Sequence, residues 1–381
     1  MSGLVPKAIC SRCVCDTTIP GIHFDAAGVC NFCYAFDELD RIFPQGETAR
    51  LRLERLAEQI RRDGRRRQYD CIVGVSGGRD SSYTLYLAKE LGLRPLAVHF
   101  DNGWNSEVAV TNIRNATRAL DVDLYTHVAD YEEFKDLQKA FLKASVSDAD
   151  IPTDVAIFGT LHRAARREGV KYILNGHSFR TEGLMPIGWT YMDGRYIRSV
   201  QRQFGDRGRL KTVPNFTLFD FVRYSLVHRV KTIPILNYVP YDHARINRVL
   251  ESELGWTYYG GHHHESFYTH FFQSYYLPKK FRIDKRKIEK SALILSAQLD
   301  RAAALQEIES QEYPYDEELI EYTVKKLGLS HAEFDSIMTA DLRTFHDYGT
   351  YYPLIKILER PLRLAARLGL VPKLLLLKYF S

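Results

Sequence analysis

Ser76-Gly77-Gly78-Arg79-Asp80-Ser81-Ser82 brings together, in seven consecutive residues, the types that handle a polyphosphate. Two adjacent glycines let a backbone come close to a phosphate and take up dihedrals that other residues resist. The run before them, Asp70-Cys71-Ile72-Val73-Gly74-Val75, suits a buried parallel strand. The run after them, Ser82-Tyr83-Thr84-Leu85-Tyr86-Leu87-Ala88, has apolar residues at helical spacing. That helix would aim its unpaired N–H groups and positive dipole end at the anion. Ser76, Gly77, Gly78, Ser81 and Ser82 are therefore expected to cradle phosphate, with Asp80 on Mg²⁺, a hard cation that prefers oxygen. The spacing is not that of G-x-x-x-x-G-K-[ST]. An ordinary Gly-Gly turn is the plainer reading; strand, glycines, Asp and paired serines falling in register favour the phosphate.

A second constellation is Cys10-x-x-Cys13 with Cys30-x-x-Cys33, four of the six cysteines. Two knuckles at this spacing match a structural zinc site, in which four thiolates close a tetrahedron with no open position. A small segment poor in apolar residues can fold on metal-binding energy. Disulfides are the competing explanation, which a reducing compartment disfavours. Cys15 is close enough to substitute as a ligand, and Cys71 reads as a small buried hydrophobe. No cysteine follows residue 71, which argues against sulfur transfer.

These residues need a frame. Arg94–Gly103 reads as a second strand, Val108–Leu120 as a helix and Asp123–Val128 as a third strand. Thr153–Glu168 reads as a helix capped near Thr153 or Asp154, and Lys171–His177 as a fourth strand and its exit. Alternating strands and helices imply an α/β, doubly wound parallel sheet, whose ligands sit beyond the carboxyl ends of the strands. The exits at Ser76, Asp101 and Asn175 are expected to converge on one ligand. Taken singly, Asp101 and His177 read equally well as turn caps. Further along lie His262-His263-His264-Glu265-Ser266 and Leu277-Pro278-Lys279-Lys280-Phe281-Arg282. Consecutive histidines on a regular element point in different directions, so one metal shared by all three is not expected.

The Ser-Gly-Gly-x-Asp-Ser loop resembles that of the PP-loop ATP pyrophosphatases (a HUP-like fold), which split ATP into AMP and pyrophosphate. With the N-terminal knuckles, Asn175-Gly176-His177-Ser178, the Gly-Gly-x-x-x-Glu-Ser block and Leu-Pro-Lys-Lys-Phe, the chain resembles the N-acetyl sugar amidotransferases, of Wbp type, of lipopolysaccharide O-antigen synthesis. Tyr352-Pro353-Leu354-Ile355-Lys356 and Leu370-Val371-Pro372-Lys373 are similar as well, so the likeness runs nearly the full length. That resemblance implies an α/β PP-loop domain with an N-terminal zinc ribbon and a mostly helical C-terminal region. It implies conversion of an N-acetyl group on a nucleotide sugar to an acetamidino group, using ATP, Mg²⁺ and ammonia. The backbone of Val98, His99 and Phe100, with Asp101 nearby, would hold adenine; Asn175, Gly176 and His177 would line the nucleotide or acceptor. Lys279, Lys280 and Arg282 would support pyrophosphate or the adenylate, and Glu265 would be a second metal ligand or base. The free cysteines leave no nucleophile for a glutaminase, and the chain begins Met1-Ser2-Gly3 with no cysteine there. The resemblance implies separate partners, a HisH-like glutaminase and a HisF-like ammonia-channelling subunit.

At 381 residues the chain has room for more than one domain. The expected division is a ribbon over 1–45, a linker helix over 46–67, a PP-loop domain with substrate extension over 68–300 and a helical region over 301–381. A net charge of +5 is mild and does not demand nucleic acid. Arg61-Arg62-Asp63-Gly64-Arg65-Arg66-Arg67 reads as a solvated helix end. No apolar run reaches the roughly 20 residues of a membrane span, and no signal-peptide core is visible, so a cytoplasmic protein is expected. The basic, apolar stretch from Arg360 to Phe380 admits packing on the body, partner docking or weak peripheral membrane contact. Two rivals remain: a tRNA-modifying ATP pyrophosphatase and a non-enzymatic zinc-ribbon scaffold.

Overall fold

In the computed structural model, residues 8–261, 264–311, 313–367 and 379 are described. His262, His263, the start of the chain and most of the stretch beyond Arg367 lie outside them. Five short strands form one sheet: β1 (Cys71–Gly74), β2 (Pro95–Asp101), β3 (Leu124–Val128), β4 (Tyr172–Asn175) and β5 (Lys231–Pro234). All neighbours are parallel, in the order β3-β2-β1-β4-β5, with Ile72 paired to both Leu96 and Ile173. The order reverses between β1 and β4, which opens a crevice at their carboxyl ends.

Helices α1 (Asn31–Ile42) and α2 (Glu47–Gly64) precede the sheet. Then α3 (Arg79–Glu90), α4 (Glu107–Ala119), α5 (Tyr131–Lys143) and α6 (Ile151–Glu168) alternate with its strands. The connection from β4 to β5 holds α7 (Phe179–Glu182), α8 (Gly194–Phe204) and α9 (Leu218–Val222), and α10 (His243–Leu254) follows β5. Beyond it come α11 (Phe267–Phe271), with a π-helical continuation over Phe272–Phe281, then α12 (Arg286–Leu295) and α13 (Arg301–Ser310). The last are α14 (Glu317–Leu327), α15 (His331–Thr339), α16 (Tyr352–Ile357) and α17 (Glu359–Arg367). The doubly wound sheet is the expected one. Helix α6 starts two residues earlier than its apolar pattern indicates, because Pro152 fits the first turn, where no N–H is needed.

Strand periodicity decides the layering. Cys71, Val73 and Val75 face Leu85, Ile113 and Leu250 on one side, while Ile72 and Val98 face Leu161 and Ala165 on the other. A third, larger apolar cluster joins Cys10, Cys13, Cys30 and Cys33 to α5, α6 and the C-terminal helices. The N-terminal ribbon is thus packed into the body. Lys287 donates to Asp16 at 2.7 Å with both side chains buried, and Arg301 donates to the carbonyls of Cys10 (2.7 Å) and Cys13 (3.0 Å).

The second tie is Arg180. Its guanidinium is 2% exposed and donates to Phe43 O (2.6 Å) and Asn237 O (3.1 Å), and to Asp40 Oδ1 (2.5 Å) at the end of α1. Asp40 is half exposed, so water screens that ion pair. The larger cost of removing the guanidinium is two buried carbonyls left without donors. Arg180→Met is expected to lower unfolding stability by on the order of 3 kcal/mol, read by urea denaturation; a change within error would mean water replaces the guanidinium.

Asp148, in the turn before α6, is 2% exposed. Tyr196 donates to its Oδ1 at 2.8 Å, while Oδ2 has no hydrogen-bond partner among the described residues. Burial pushes its carboxyl up to about 8, against about 3.9 in an unfolded chain. Between those values the folded state holds a proton that the unfolded state releases, so this group's contribution falls as pH rises. Asp148→Asn, isosteric with the protonated acid, should therefore raise the melting temperature more at pH 9 than at pH 5. An equal shift at both would show that Asp148 is ionised in the fold.

Candidate active site at the switch point of the sheet

The loop after β1 and the exit of β4 meet across the crevice. Gly77 takes φ +81°, and a Cβ there would stand 2.2 Å from Ala109 O in the first turn of α4. Its carbonyl is fixed by Trp256 Nε1 (3.0 Å) and Asn112 Nδ2 (3.2 Å). From the other side Gly176 lies flat against α3, where a Cβ would meet Asp80 O at 2.8 Å. Only glycine permits both approaches.

Between them lies a cavity of about 190 Å³. Its floor is Ser76, Gly78, Arg79, Asp80 and Ser81; Gly176 and His177 form one wall. Three hydroxyls hold the loop donors a phosphate would take. Ser81 Oγ accepts from Ser76 N (3.1 Å), Ser76 Oγ accepts from Gly78 N (3.2 Å), and Tyr259 OH accepts from Arg79 N (3.2 Å). The space over Gly78 is polar on all sides, since a Cβ there would meet Glu265 Oε1, Ser76 Oγ and Tyr259 OH at 3.0–3.1 Å. Glu265 Oε1 also accepts from Ser76 Oγ at 3.4 Å. Burial, with the nearby Glu265 charge, pushes the Tyr259 phenol well up, so it stays a neutral donor.

Asp80 reaches the cavity from the first turn of α3, receiving a hydrogen bond from Tyr241 OH and standing 3.7 Å from Arg79 Nε. Asp80 and Glu265 present the hard oxygens that Mg²⁺ takes, so the donor set fits that ion. His177 is half exposed, with Nδ1 on the carboxylate of Glu182. Ser178 caps α7 by accepting from Arg180 N at 3.3 Å, which sets Glu182 opposite His177.

The remaining expected residues lie elsewhere. Ser82 is buried in α3. Asn175 adjoins the cavity without lining it, its Oδ1 buried and without a hydrogen-bond partner among the described residues. His99 is buried and bridges Val75 O (2.8 Å) and Asn105 Nδ2 (3.1 Å); burial lowers its pKa, so it is a neutral tie between strands. Val98 O accepts from Val75 N, and Phe100 stacks on His127. Asp101 caps its own turn, accepting from Gly103 N (2.8 Å) and Asn105 Nδ2 (3.3 Å). Thus two strand exits, not three, border the cavity: β2 is paired on both sides and its exit folds back on itself.

The basic block needs a larger correction. Lys280 is buried and donates to Ile337 O (2.5 Å) and Ala340 O (2.9 Å), so it caps the C-terminus of α15, and burial lowers its pKa. Lys279 lies over the Tyr315 ring at 4.7 Å. Arg282, exposed at φ +57°, ends the π-helical segment. None of the three lines the cavity. Sequence reading missed Arg79, Glu182, Tyr241 and Tyr259, although Tyr258-Tyr259 abuts Gly260-Gly261 and Glu182 shares the His177-Ser178 run.

The cysteine quartet is the other constructed site. Cys10–Cys33, Cys13–Cys30 and Cys30–Cys33 sulfurs are each 3.7 Å apart. A tetrahedron with Zn–S of about 2.3 Å has edges of about 3.8 Å, so the quartet fits zinc. Backbone N–H groups of Arg12 and Cys30 donate to Cys10 Sγ, as thiolate ligands require. Cys15 instead meets Ser291 Oγ at 3.2 Å and stands outside the set.

Residues 265–361 match the family described as LPS biosynthesis protein WbpG-like, C-terminal domain. That stretch is similar to the WbpG-like domain over about a quarter of the chain. The matched stretch begins at Glu265, which lines the cavity at the switch point of the sheet. An uncharacterized protein of Methanocaldococcus jannaschii is 30% identical over 170 residues, 44% of this chain; the chain spans 58% of that relative's length. Among solved structures, NMN synthetase from Francisella tularensis aligns at 12% identity and TM-score 0.30, over 82% of this chain and 98% of that one. A predicted subunit of tRNA methyltransferase from M. jannaschii aligns at 12% and 0.25, over 48% and 75%. Likenesses this low carry no functional argument. No helix among the described residues is long and apolar enough to cross a membrane.

Two outcomes follow from this geometry. Gly77→Ala must displace α4 or the loop, and the melting temperature should fall by several degrees; an unchanged melting temperature would show that the loop does not depend on this approach. Cys30→Ser should lose bound zinc by elemental analysis along with thermal stability, and a stable zinc-free wild-type protein would refute the structural role.

Proposed function

We propose that the protein is an ATP-dependent amidotransferase that converts the N-acetyl group of a nucleotide-linked sugar to an acetamidino group in surface-polysaccharide synthesis. One observation carries this reading: a WbpG-like domain places Glu265 over a Ser-Gly-Gly loop at the switch point of a parallel sheet. An acetamide carbon is a poor electrophile and its oxygen a poor leaving group. In the proposed reaction that oxygen attacks the α-phosphorus of ATP and expels pyrophosphate. Ammonia then adds to the activated carbon, loses a proton and expels AMP, which keeps the former amide oxygen.

Each cavity residue has a task in that sequence. Ser76, Gly78 and Ser81 hold the departing pyrophosphate, whose volume suits the cavity better than a whole nucleotide does. Asp80 and Glu265 would hold Mg²⁺, which would screen phosphate charge. His177, its tautomer fixed by Glu182, accepts the proton that ammonia sheds. Preorganised dipoles and positioning account for the rest of the acceleration. Ammonia would come from a HisH-like glutaminase through a HisF-like subunit.

The test is mass spectrometry of a UDP-linked diacetamido uronic acid incubated with protein, Mg·ATP and an ammonium salt. The expected product is lighter by the difference between O and NH, with AMP formed in equal amount. AMP formation stimulated by RNA without change in the sugar would overturn the reading in favour of tRNA modification. His177→Ala should slow turnover by about 10²–10⁴-fold with nucleotide binding retained; wild-type turnover would remove His177 from the reaction.

A further inference from the structure

Away from the switch point, α8 lines a cavity of about 580 Å³. Arg195, Arg198 and Arg202, at i, i+3 and i+7, project from one face of the helix, with Ser199 between them. The facing wall is Gly349 and Tyr351, pinned by Gly349 N donating to Ser199 Oγ (2.9 Å) and Tyr351 N donating to Asp193 Oδ2 (2.8 Å).

Part of the charge arrangement is unfavourable to the helix that carries it, although Arg202 lies in the last turn, where the dipole favours a cation. Cations three and four residues apart repel, and Arg195 sits in the first turn, where the helix dipole disfavours positive charge. No carboxylate lines the cavity, and among the described residues none of the three arginines has an ion pair. The carboxylate nearest in sequence, Asp193, is committed elsewhere, accepting from Tyr196 N (2.6 Å), Tyr351 N and Tyr191 OH. Arg195 packs over the Tyr351 ring at 5.6 Å, while Arg198 and Arg202 are exposed to solvent, with no hydrogen-bond partner for their guanidinium groups among the described residues.

We propose that this cavity is a second anion site that binds a small molecule carrying a diphosphate. Arg198 and Arg202 stand about 6 Å apart along the helix axis, within reach of adjacent phosphates, and a guanidinium meets phosphate oxygens with two parallel donors. The volume falls in the range of roughly 300–1,000 Å³ typical of small-molecule sites. The site shares no lining residue with the switch-point cavity, so it stands whether or not the amidotransferase reading does.

The experiment is isothermal titration of the full chain with UDP and, separately, inorganic pyrophosphate. The wild-type protein should give one class of pyrophosphate site at these arginines, beside any at the switch-point cavity. Arg198→Glu/Arg202→Glu should lose one class and bind UDP at least tenfold more weakly, with melting temperature retained. Arg198→Lys/Arg202→Lys should fall between, because lysine keeps the charge and loses the paired donors. Identical isotherms for wild type and the glutamate variant would overturn the proposal. So would charge-dependent binding of single-stranded RNA or of phosphatidylglycerol vesicles with none of UDP or pyrophosphate, since the arginines would then serve a macromolecular surface.

Discussion

The approach of the Gly77 backbone to the carbonyl of Ala109 governs how the remaining parts meet. That contact exists only because residue 77 has no Cβ and takes a left-handed φ. It seats the first turn of α4 on the loop after β1, and Asn112 from the same helix, with Trp256, grips the Gly77 carbonyl. Asn112 also exchanges hydrogen bonds with Thr257, so the segment leading to Tyr259 and Glu265 is drawn over the loop. The cavity thus results from one backbone contact propagated through an amide side chain.

The wall opposite is held from farther away. Arg180 lies between His177 and Glu182 in the chain and spends its guanidinium on α1 and on Asn237. Helix α12 presses Ile288 against Gly183, where a Cβ would come within 2.6 Å, and α12 is itself held to the ribbon through Lys287 and Asp16. The ribbon therefore buttresses the site across several packed elements, which explains why its cysteines share an apolar cluster with the C-terminal helices.

Features written in local sequence were legible: the strand, glycines and helix around Ser76, the parallel sheet, and the two cysteine knuckles. The loop and each knuckle depend on spacing within a few residues, and the sheet on strands alternating with helices along the chain. Lys280 was misplaced because a π-helical segment rotates its side chain onto α15, a turn that no apolar period announces. Asp101 was misplaced because a polar strand exit looks the same whether it meets a ligand or caps its own turn. Tyr241 and Tyr259 were invisible since they reach Asp80 and Arg79 across more than a hundred residues of chain.

In the proposed reaction the cavity joins the sugar's amide oxygen to the α-phosphorus of ATP, so an isotope in that oxygen reports directly on it. The most direct measurement starts from a nucleotide sugar carrying ¹⁸O in its acetamido group and follows the label by mass spectrometry of the products. The label is expected in the phosphate of AMP, with none in pyrophosphate. Label retained in the sugar while AMP accumulates, or label released into water, would contradict it.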